Sequence, residues 1–446
     1  MHILQVSTSD LGGGGAEGSA WRLFQAYRTL GHQSWLAVGT KRSSDENVLV
    51  LPNNQKISSW SRFWWKSGNA LLPQHLKQPG VEEFRSLIQN FPVHPERLAR
   101  SAFGSEDFDF PGSRSLLNLT PHRPDILHCH NLHGNYFDLR VLPELSTQIP
   151  IIINLRDAWL LSGHCAHSFD CERWKTGCGK CPDLSIPNSI HRDATAYNWR
   201  RKKKIFSRSR VFVTTPSQWL MDMVEQSMLA PAIIEMRVIP NGVDLSIFQP
   251  ADRSKVRAAL GLPEDVHIVL FAANGIRANI WKDYATMRRA IKLVSEKMAD
   301  GKLLFLALGE NAPDERVGNS IIHFVPHQSD MRMVARYYQA ADLYIHAARA
   351  DTFPNTILEA LACGIPVIAT AVGGIPEQIH EGKTGFLTPL GDASAMAGAI
   401  WRLLEDPDLR KKMGDAAIRE VNEKFSLDLQ VKRFLSWYEE IISNWK

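Results

Sequence analysis

Short apolar runs separated by stretches of helical spacing recur along the whole chain. In the first half, the runs at 3–6, 34–38, 125–129, 151–155 and 211–215 predict strands. The pattern restarts at 267–272, 303–308, 321–325, 342–346, 366–370 and 385–388. Strands alternating with helices imply parallel α/β sheets. Residues 238–244, Val-Ile-Pro-Asn-Gly-Val-Asp, are rich in turn formers and place a hinge near 240–250. The expectation is two doubly wound domains, residues 1–245 and 246–426, facing each other across a cleft at their strand ends. Residues 427–446 keep helical spacing and are expected to pack back on the body. Two stretches break the rhythm, 41–122 and 163–200, and read as insertions in the first domain.

Length agrees with this division, because 446 residues exceed the ~250–300 at which a single core stops growing. A hydrophobic share of 44% and a charged share of 22% describe a globular chain rather than a disordered one. The formal net charge of +4 is too small to suggest wholesale nucleic-acid binding. No apolar run approaches the ~20 residues that span a bilayer. The opening Met-His-Ile-Leu-Gln-Val reads as a strand, not a signal peptide, so a cytoplasmic location with reduced thiols is expected.

Candidate chemistry gathers at the ends of the predicted strands. The first strand runs into Asp10-Leu-Gly-Gly-Gly-Gly15 and then a helix. Such a loop lets backbone N–H groups approach a phosphate, although a flexible turn has the same composition. Its spacing is not the dinucleotide fingerprint. In the second half, Asn274-Gly-Ile-Arg277 follows a strand and Lys282 comes five residues later. Then come Asp351 and Glu359, Gly364-Ile-Pro-Val, Gly373-Gly374-Ile-Pro-Glu377 and Gly382-Lys-Thr-Gly-Phe386. Arg277 and Lys282 can neutralise a departing diphosphate without a metal. Asp351 and Glu359 can accept hydrogen bonds from sugar or ribose hydroxyls.

In this order the motifs resemble the donor-binding domain of family-4 glycosyltransferases, and the resemblance extends over essentially the whole chain. It implies a GT-B fold, retention of anomeric configuration and metal-independent chemistry, with no cofactor required. It places Arg277 and Lys282 on the diphosphate of a UDP- or GDP-sugar, Glu359 on the ribose and Asp351 on the transferred sugar. Gly14, Gly15, Gly309, Asn355, Thr356, Gly373 and Gly374 complete the expected donor contacts. Two positions depart from the family pattern. Asp351 stands where a glutamate is usual, which shortens the reach by about 1.5 Å. In Asn154-Leu-Arg-Asp157-Ala-Trp159, Arg156 stands where a histidine is usual beside Asp157. Arginine does not act as a base. It could still bind phosphate or an acidic acceptor. The acceptor expected from the resemblance is a glycan or a lipid-linked sugar.

Cys165, Cys171, Cys178 and Cys181 follow the spacing C-x5-C-x6-C-x2-C. The last pair has zinc-site spacing, so a structural zinc is one reading, with His164 and His167 as alternative ligands. Four reduced thiols in a loop are the other. Trp60, Phe63 and Trp64, with Lys56, Arg62 and Lys66, suit either a lipid interface or packing of the insertion. The run Arg200-Arg-Lys-Lys-Lys204 suits anionic headgroups or a solvated helix face. Asp107-Phe-Asp109 matches a metal-binding D-x-D, but in an irregular segment where chance explains it. Competing readings of the whole are a GT-B nucleotide-sugar epimerase, a catalytically weak scaffold and a nucleic-acid binder.

Overall fold

The computed structural model describes residues 1–12, 14–53, 95–298 and 302–445. They form two compact units. The first holds Met1–Thr214, Asp222–Met236 and the last residues from Asn444; the second holds Thr215–Met221 and Arg237–Ser443.

The first unit is built on β1 (His2–Ser9), β2 (Gln33–Thr40), β3 (Val48–Val50), β4 (Ile126–His130), β5 (Ile151–Asn154), β6 (Val211–Thr215) and β7 (Ile233–Val238). Their order in the sheet is β3-β2-β1-β4-β5-β6-β7. Pairing is parallel from β3 through β6. Chain order reverses between β1 and β4, so the loops after these two strands flank a crevice. In open α/β sheets that switch point is where ligands bind.

The second unit repeats the plan with β8 (His267–Ala272), β9 (Leu303–Leu308), β10 (Glu315–Val317), β11 (Ser320–Val325), β12 (Leu343–His346), β13 (Val367–Thr370) and β14 (Gly385–Thr388). The order is β10-β11-β9-β8-β12-β13-β14, and β10 alone runs antiparallel to its neighbour. Here the reversal lies between β8 and β12. Alternate residues of β8 serve opposite faces of the sheet. Ile268 and Leu270 join one buried cluster with Tyr344 and Ile357, while Val269 and Phe271 join another with Ile345 and Ile400. That period of two is why the strand is apolar along its whole length.

Every predicted strand is present, with ends shifted by a few residues. Three further strands lack an apolar run. In β7 exposed Ile234 and Met236 alternate with Glu235 and Arg237, and β3 and β10 have three residues each. Strand β3 lies inside 41–122, so that stretch begins as sheet edge rather than as insertion. The carboxy-terminal helix, Leu427–Asn444, buries Phe434, Trp437 and Tyr438. Its start is held by Gly242, whose N–H donates to Gln430 Oε1 at 3.0 Å.

Candidate active site

In the second unit the site is assembled from the loops after β8, β9 and β12. Gly309 follows β9 at φ +114°, with the Ala273 carbonyl oxygen 1.9 Å from where a Cβ would sit. Only glycine fits there. The turn aims Glu310 at the loop after β8. Its carboxylate accepts the N–H groups of Ile276 (2.7 Å) and Arg277 (2.8 Å) and the Arg277 Nε at 2.6 Å. The exposed Arg277 guanidinium also lies over the Phe324 ring, 5.1 Å from its centre.

Lys282 is inside the site. Its Nζ donates to Asp351 Oδ2 at 2.7 Å and to His346 Nε2 at 3.1 Å. Burial and the Lys282 charge bring His346 down to about 4, so the ring is neutral at pH 7. The Tyr344 hydroxyl lies 3.4 Å from the Ala272 carbonyl and 3.2 Å from His346 Nδ1. Donation to that carbonyl leaves the hydroxyl to accept Nδ1–H, so Nε2 carries the lone pair facing Lys282. Burial opposes ionisation of Asp351, but the Lys282 ammonium outweighs it, holding the carboxyl well below the usual range. Both cations expected to meet a diphosphate thus already have carboxylate partners.

The glycines of Gly373-Gly374 serve Asp351 through the backbone. Gly373, at φ +56°, has the Asp351 carbonyl oxygen 1.9 Å from its would-be Cβ, and Gly374 N–H donates to that oxygen at 3.3 Å. Nearby Glu377 accepts the N–H groups of Gln218 (2.7 Å) and Trp219 (2.8 Å). Helix Asn355–Ala362 starts just after the Asp351 loop, with no side chain capping it and with Asn355 and Thr356 half-buried in its first turn. One turn on, Glu359 is buried and accepts the Tyr338 hydroxyl at 3.0 Å.

In the first unit, the glycine loop is ordered by Asp10. Its buried carboxylate accepts the N–H groups of Leu11, Arg42 and Ser43 at 2.8–2.9 Å, and these bonds outweigh burial to lower its pKa. Gly14 precedes helix Gly15–Thr29 with no side-chain cap. Arg156 turns to that helix, donating from Nη2 to Ser19 Oγ at 2.8 Å. Burial and the Arg22 charge bring it down to about 9, so it stays a cation at pH 7.

Asp157 meets a histidine that the sequence reading did not single out. His133 Nε2 lies 2.7 Å from Asp157 Oδ2. Burial opposes the imidazolium, yet Asp157 outweighs it and raises the His133 pKa. The loop that carries His133 follows β4 and is tightly wound, with positive φ at Asn131 (29°), Gly134 (98°) and Asn135 (58°). The Tyr136 hydroxyl pins it to the Asn131 carbonyl at 3.1 Å. The signal available in sequence was Asn131-Leu-His-Gly-Asn135, a turn-rich segment directly after a strand.

One expectation about the insertions changes. Lys202, inside the basic run, is fully buried. Its Nζ donates to Glu106 Oε1 (2.9 Å), Trp159 O (2.9 Å) and Ser162 O (3.1 Å). Arg201 donates to Glu106 O at 2.7 Å and stacks over Phe108. Helical periodicity turns the middle of the run inward, so it is not one continuous basic face. Asp107 and Asp109 are engaged by Arg97 and Arg140 rather than set out as a metal pair. Cys165, Cys171, Cys178 and Cys181 are free thiols, with His164 Nε2 3.4 Å from Cys181 Sγ. Burial raises Cys165, Cys181 and Cys178, the last to about 12. Among the described residues, no three His, Cys, Asp or Glu side chains are grouped so as to hold a metal ion. Trp60, Phe63 and Trp64 lie outside the described residues. No described helix is long and apolar enough to cross a membrane.

Two doubly wound units, each with polar side chains at its switch point, define a GT-B-type chain, and comparison with known proteins agrees. Residues 13–247 match the model of Glycosyltransferase Family 4 and residues 252–420 that of Glycosyl transferases group 1. The chain belongs to the family-4, group-1 glycosyltransferases. A D-inositol 3-phosphate glycosyltransferase of Acidothermus cellulolyticus is 32% identical over 226 residues, 47% of this chain and 48% of the relative. Several first-ranked relatives are matched over only about half their length. A provisionally assigned colanic acid biosynthesis glycosyl transferase of Escherichia coli K12, WcaC, is 29% identical over 86% of this chain and 87% of its own. Among solved structures, Anabaena Alr3699/HepE in complex with UDP superposes with a TM-score of 0.63 at 18% identity, covering 99% of this chain and 100% of its own. At that identity the likeness speaks for the fold.

Proposed function

We propose that this protein transfers a hexosyl or N-acetylhexosaminyl group from a UDP- or GDP-sugar to a glycan or lipid-linked acceptor, with retention and without a catalytic metal, in polysaccharide or glycolipid assembly in the cytoplasm. The observation that carries the reading is the Lys282–Asp351–His346 cluster at the β8/β12 switch point, on a family-4 chain. A bound diphosphate would add charge beside Lys282 and Arg277, whose present partners are carboxylates. Asp351 would then be free to meet a sugar hydroxyl, and Glu359 a ribose. The solved neighbour is a complex with UDP, and WcaC by its name serves colanic acid biosynthesis, which supports this donor and acceptor class. Preorganised cations at the leaving group carry the main burden, so little general-base help is required.

The test is a thermal-shift panel of nucleoside diphosphates and their sugars, followed by turnover in excess EDTA. UDP or GDP should raise the unfolding midpoint by mass action. Turnover lost in EDTA and restored by magnesium would sink metal independence. The cysteine spacing, not the arrangement of the thiols, carries a separate proposal, one structural zinc outside the reaction, whose binding would have to draw Cys165, Cys171, Cys178 and Cys181 together. Elemental analysis of protein purified without added metal should find about one zinc per chain; a result of none removes it.

A further inference from the structure

In the second unit one ammonium is shared by two acceptors that lie against each other. Asp351 Oδ2 and His346 Nε2 are 3.4 Å apart, and Lys282 Nζ donates to both, at 2.7 Å and 3.1 Å. A carboxylate oxygen and an imidazole lone pair cannot bond to each other. Their closeness depends on the donor they share.

The His346 ring is fully buried. Phe271 of β8 packs against it, with ring centres 6.0 Å apart. From β13 the Thr370 hydroxyl donates to the His346 backbone carbonyl at 3.4 Å. On its own strand the Tyr344 hydroxyl meets Nδ1 at 3.2 Å. Behind it Tyr338 packs on Tyr344 and donates to Glu359. Lys282 and Asp351 are the charges that act on the ring, and with the ammonium in place the ring stays neutral.

A diphosphate that draws the Lys282 ammonium toward itself removes the shared donor. Two acceptors would then face each other, and Asp351, largely shielded from water, would lose its cation. A shielded charge without its partner is costly. A proton on Nε2 resolves both problems, because N–H replaces the ammonium at Oδ2 and the imidazolium supplies the counter-charge. Moving Nδ1–H to Nε2 within a neutral ring would turn the Tyr344 hydroxyl away from the Ala272 carbonyl and bring no charge.

We infer that His346 takes up a proton from solvent when a nucleotide sugar binds, and that its Nε2–H then holds Asp351 Oδ2 in place of Lys282, leaving the other carboxylate oxygen for the transferred sugar. The inference rests on the donor reading given above and adds a step to it. His346 is a positioning residue, acting on the sugar through Asp351.

The experiment is calorimetry on the full chain with UDP-glucose, UDP-N-acetylglucosamine and GDP-mannose, at pH 6 and 8, in buffers of different ionisation enthalpy. Nucleotide sugars are the probes because their phosphates do not titrate in this range, unlike the terminal phosphate of free UDP. The free ring takes up its proton near pH 4 and the ring in the complex at higher pH. Uptake therefore spans the interval between them and fades above it, and affinity falls as pH rises through the same interval. At pH 6 a bound nucleotide sugar should carry in a large part of one proton, and at pH 8 much less. His346→Gln should abolish the uptake and flatten the pH dependence of affinity. Asp351→Asn, whose amide needs no counter-charge, should remove most of the uptake with His346 in place, which covers the case in which the glutamine variant folds poorly. Wild-type binding without proton uptake would overturn the inference and leave the donor reading standing. Uptake unchanged in both variants would do the same. Binding of none of the three probes would remove the donor reading and the inference with it.

Discussion

Lys282 Nζ stands 2.7 Å from Asp351 Oδ2 and 3.1 Å from His346 Nε2, two atoms that are themselves 3.4 Å apart. One ammonium thus links the loop after β8 to the strand and loop of β12. With His346 neutral, the cluster holds one cation and one anion. The net charge that a diphosphate needs must come from redistribution of these partners. A ligand at Asp351 would release part of the Lys282 charge.

Asp351→Asn therefore should leave UDP or GDP affinity nearly intact and lower turnover. One charge-assisted hydrogen bond corresponds to roughly 1.5–3 kcal/mol, about ten- to a hundredfold in rate. Glu359→Gln should instead weaken the nucleotide diphosphate and the full donor together. Steady-state kinetics beside diphosphate titrations separate the two patterns. Wild-type behaviour of both variants would refute the site.

Gly373 tests the backbone support of Asp351. Alanine there needs a rare φ of +56° and meets the Asp351 carbonyl at 1.9 Å. Gly373→Ala should lower stability by about 1–3 kcal/mol and displace the Asp351 loop, costing turnover more than UDP affinity. Gly382→Ala is the control, since Gly382 has φ +72° but nothing within 4 Å of its would-be Cβ. Equal turnover of the two variants would show that the Gly373 contact does not position Asp351.

Lys202 separates charge at a surface from charge in a core. Lys202→Met leaves Glu106 buried without its cation and should destabilise by roughly 3–5 kcal/mol. Replacing exposed Arg200 and Lys204 with glutamine should change stability by no more than about 0.5 kcal/mol each. Urea unfolding measures both. A marginal effect of Lys202→Met would place its ammonium in water.

His346 makes a prediction about pH. Its folded value is near 4, against about 6.5 in an unfolded chain. As the pH falls, the unfolded chain takes up this proton first. The stability associated with the neutral ring is whole above about 6.5 and is lost progressively down to about 4, by roughly 2–4 kcal/mol. His346→Gln should flatten that part of the profile. Denaturant unfolding at pH 7 and 4.5 reads the slope, and an identical slope in the variant would show that His346 is not buried neutral. Below that window Asp351 acts: its depressed folded pKa keeps its contribution whole above about 3.9 and loses it only at lower pH.

The strands of both sheets were legible in sequence because a central parallel strand is buried on both faces, which leaves a continuous apolar run such as 267–272. Edge strands were not: β7 has one face in water, and its alternation over six residues resembles loop composition. At the site, Arg277, Lys282, Asp351, Glu359 and the glycine pair could be named because motif and strand end coincide. Glu310, His346, Tyr338 and His133 could not. Each reaches its partner from a different element of the fold, separated by 24 residues for His133 and Asp157 and by 64 for Lys282 and His346.

By itself, then, the amino-acid pattern determined two α/β domains, the loops where chemistry sits and the family to which they belong. These follow from local periodicity and from glycines whose φ angles no other residue takes readily. Only the tertiary structure decided which charges are paired. It placed Arg277 on Glu310, Lys282 on Asp351 and His133 on Asp157, and it turned Lys202 from a surface cation into a buried one. Pairing depends on distances across a sheet that a one-dimensional sequence does not contain, and in a medium of low polarity those distances set the protonation state of each group.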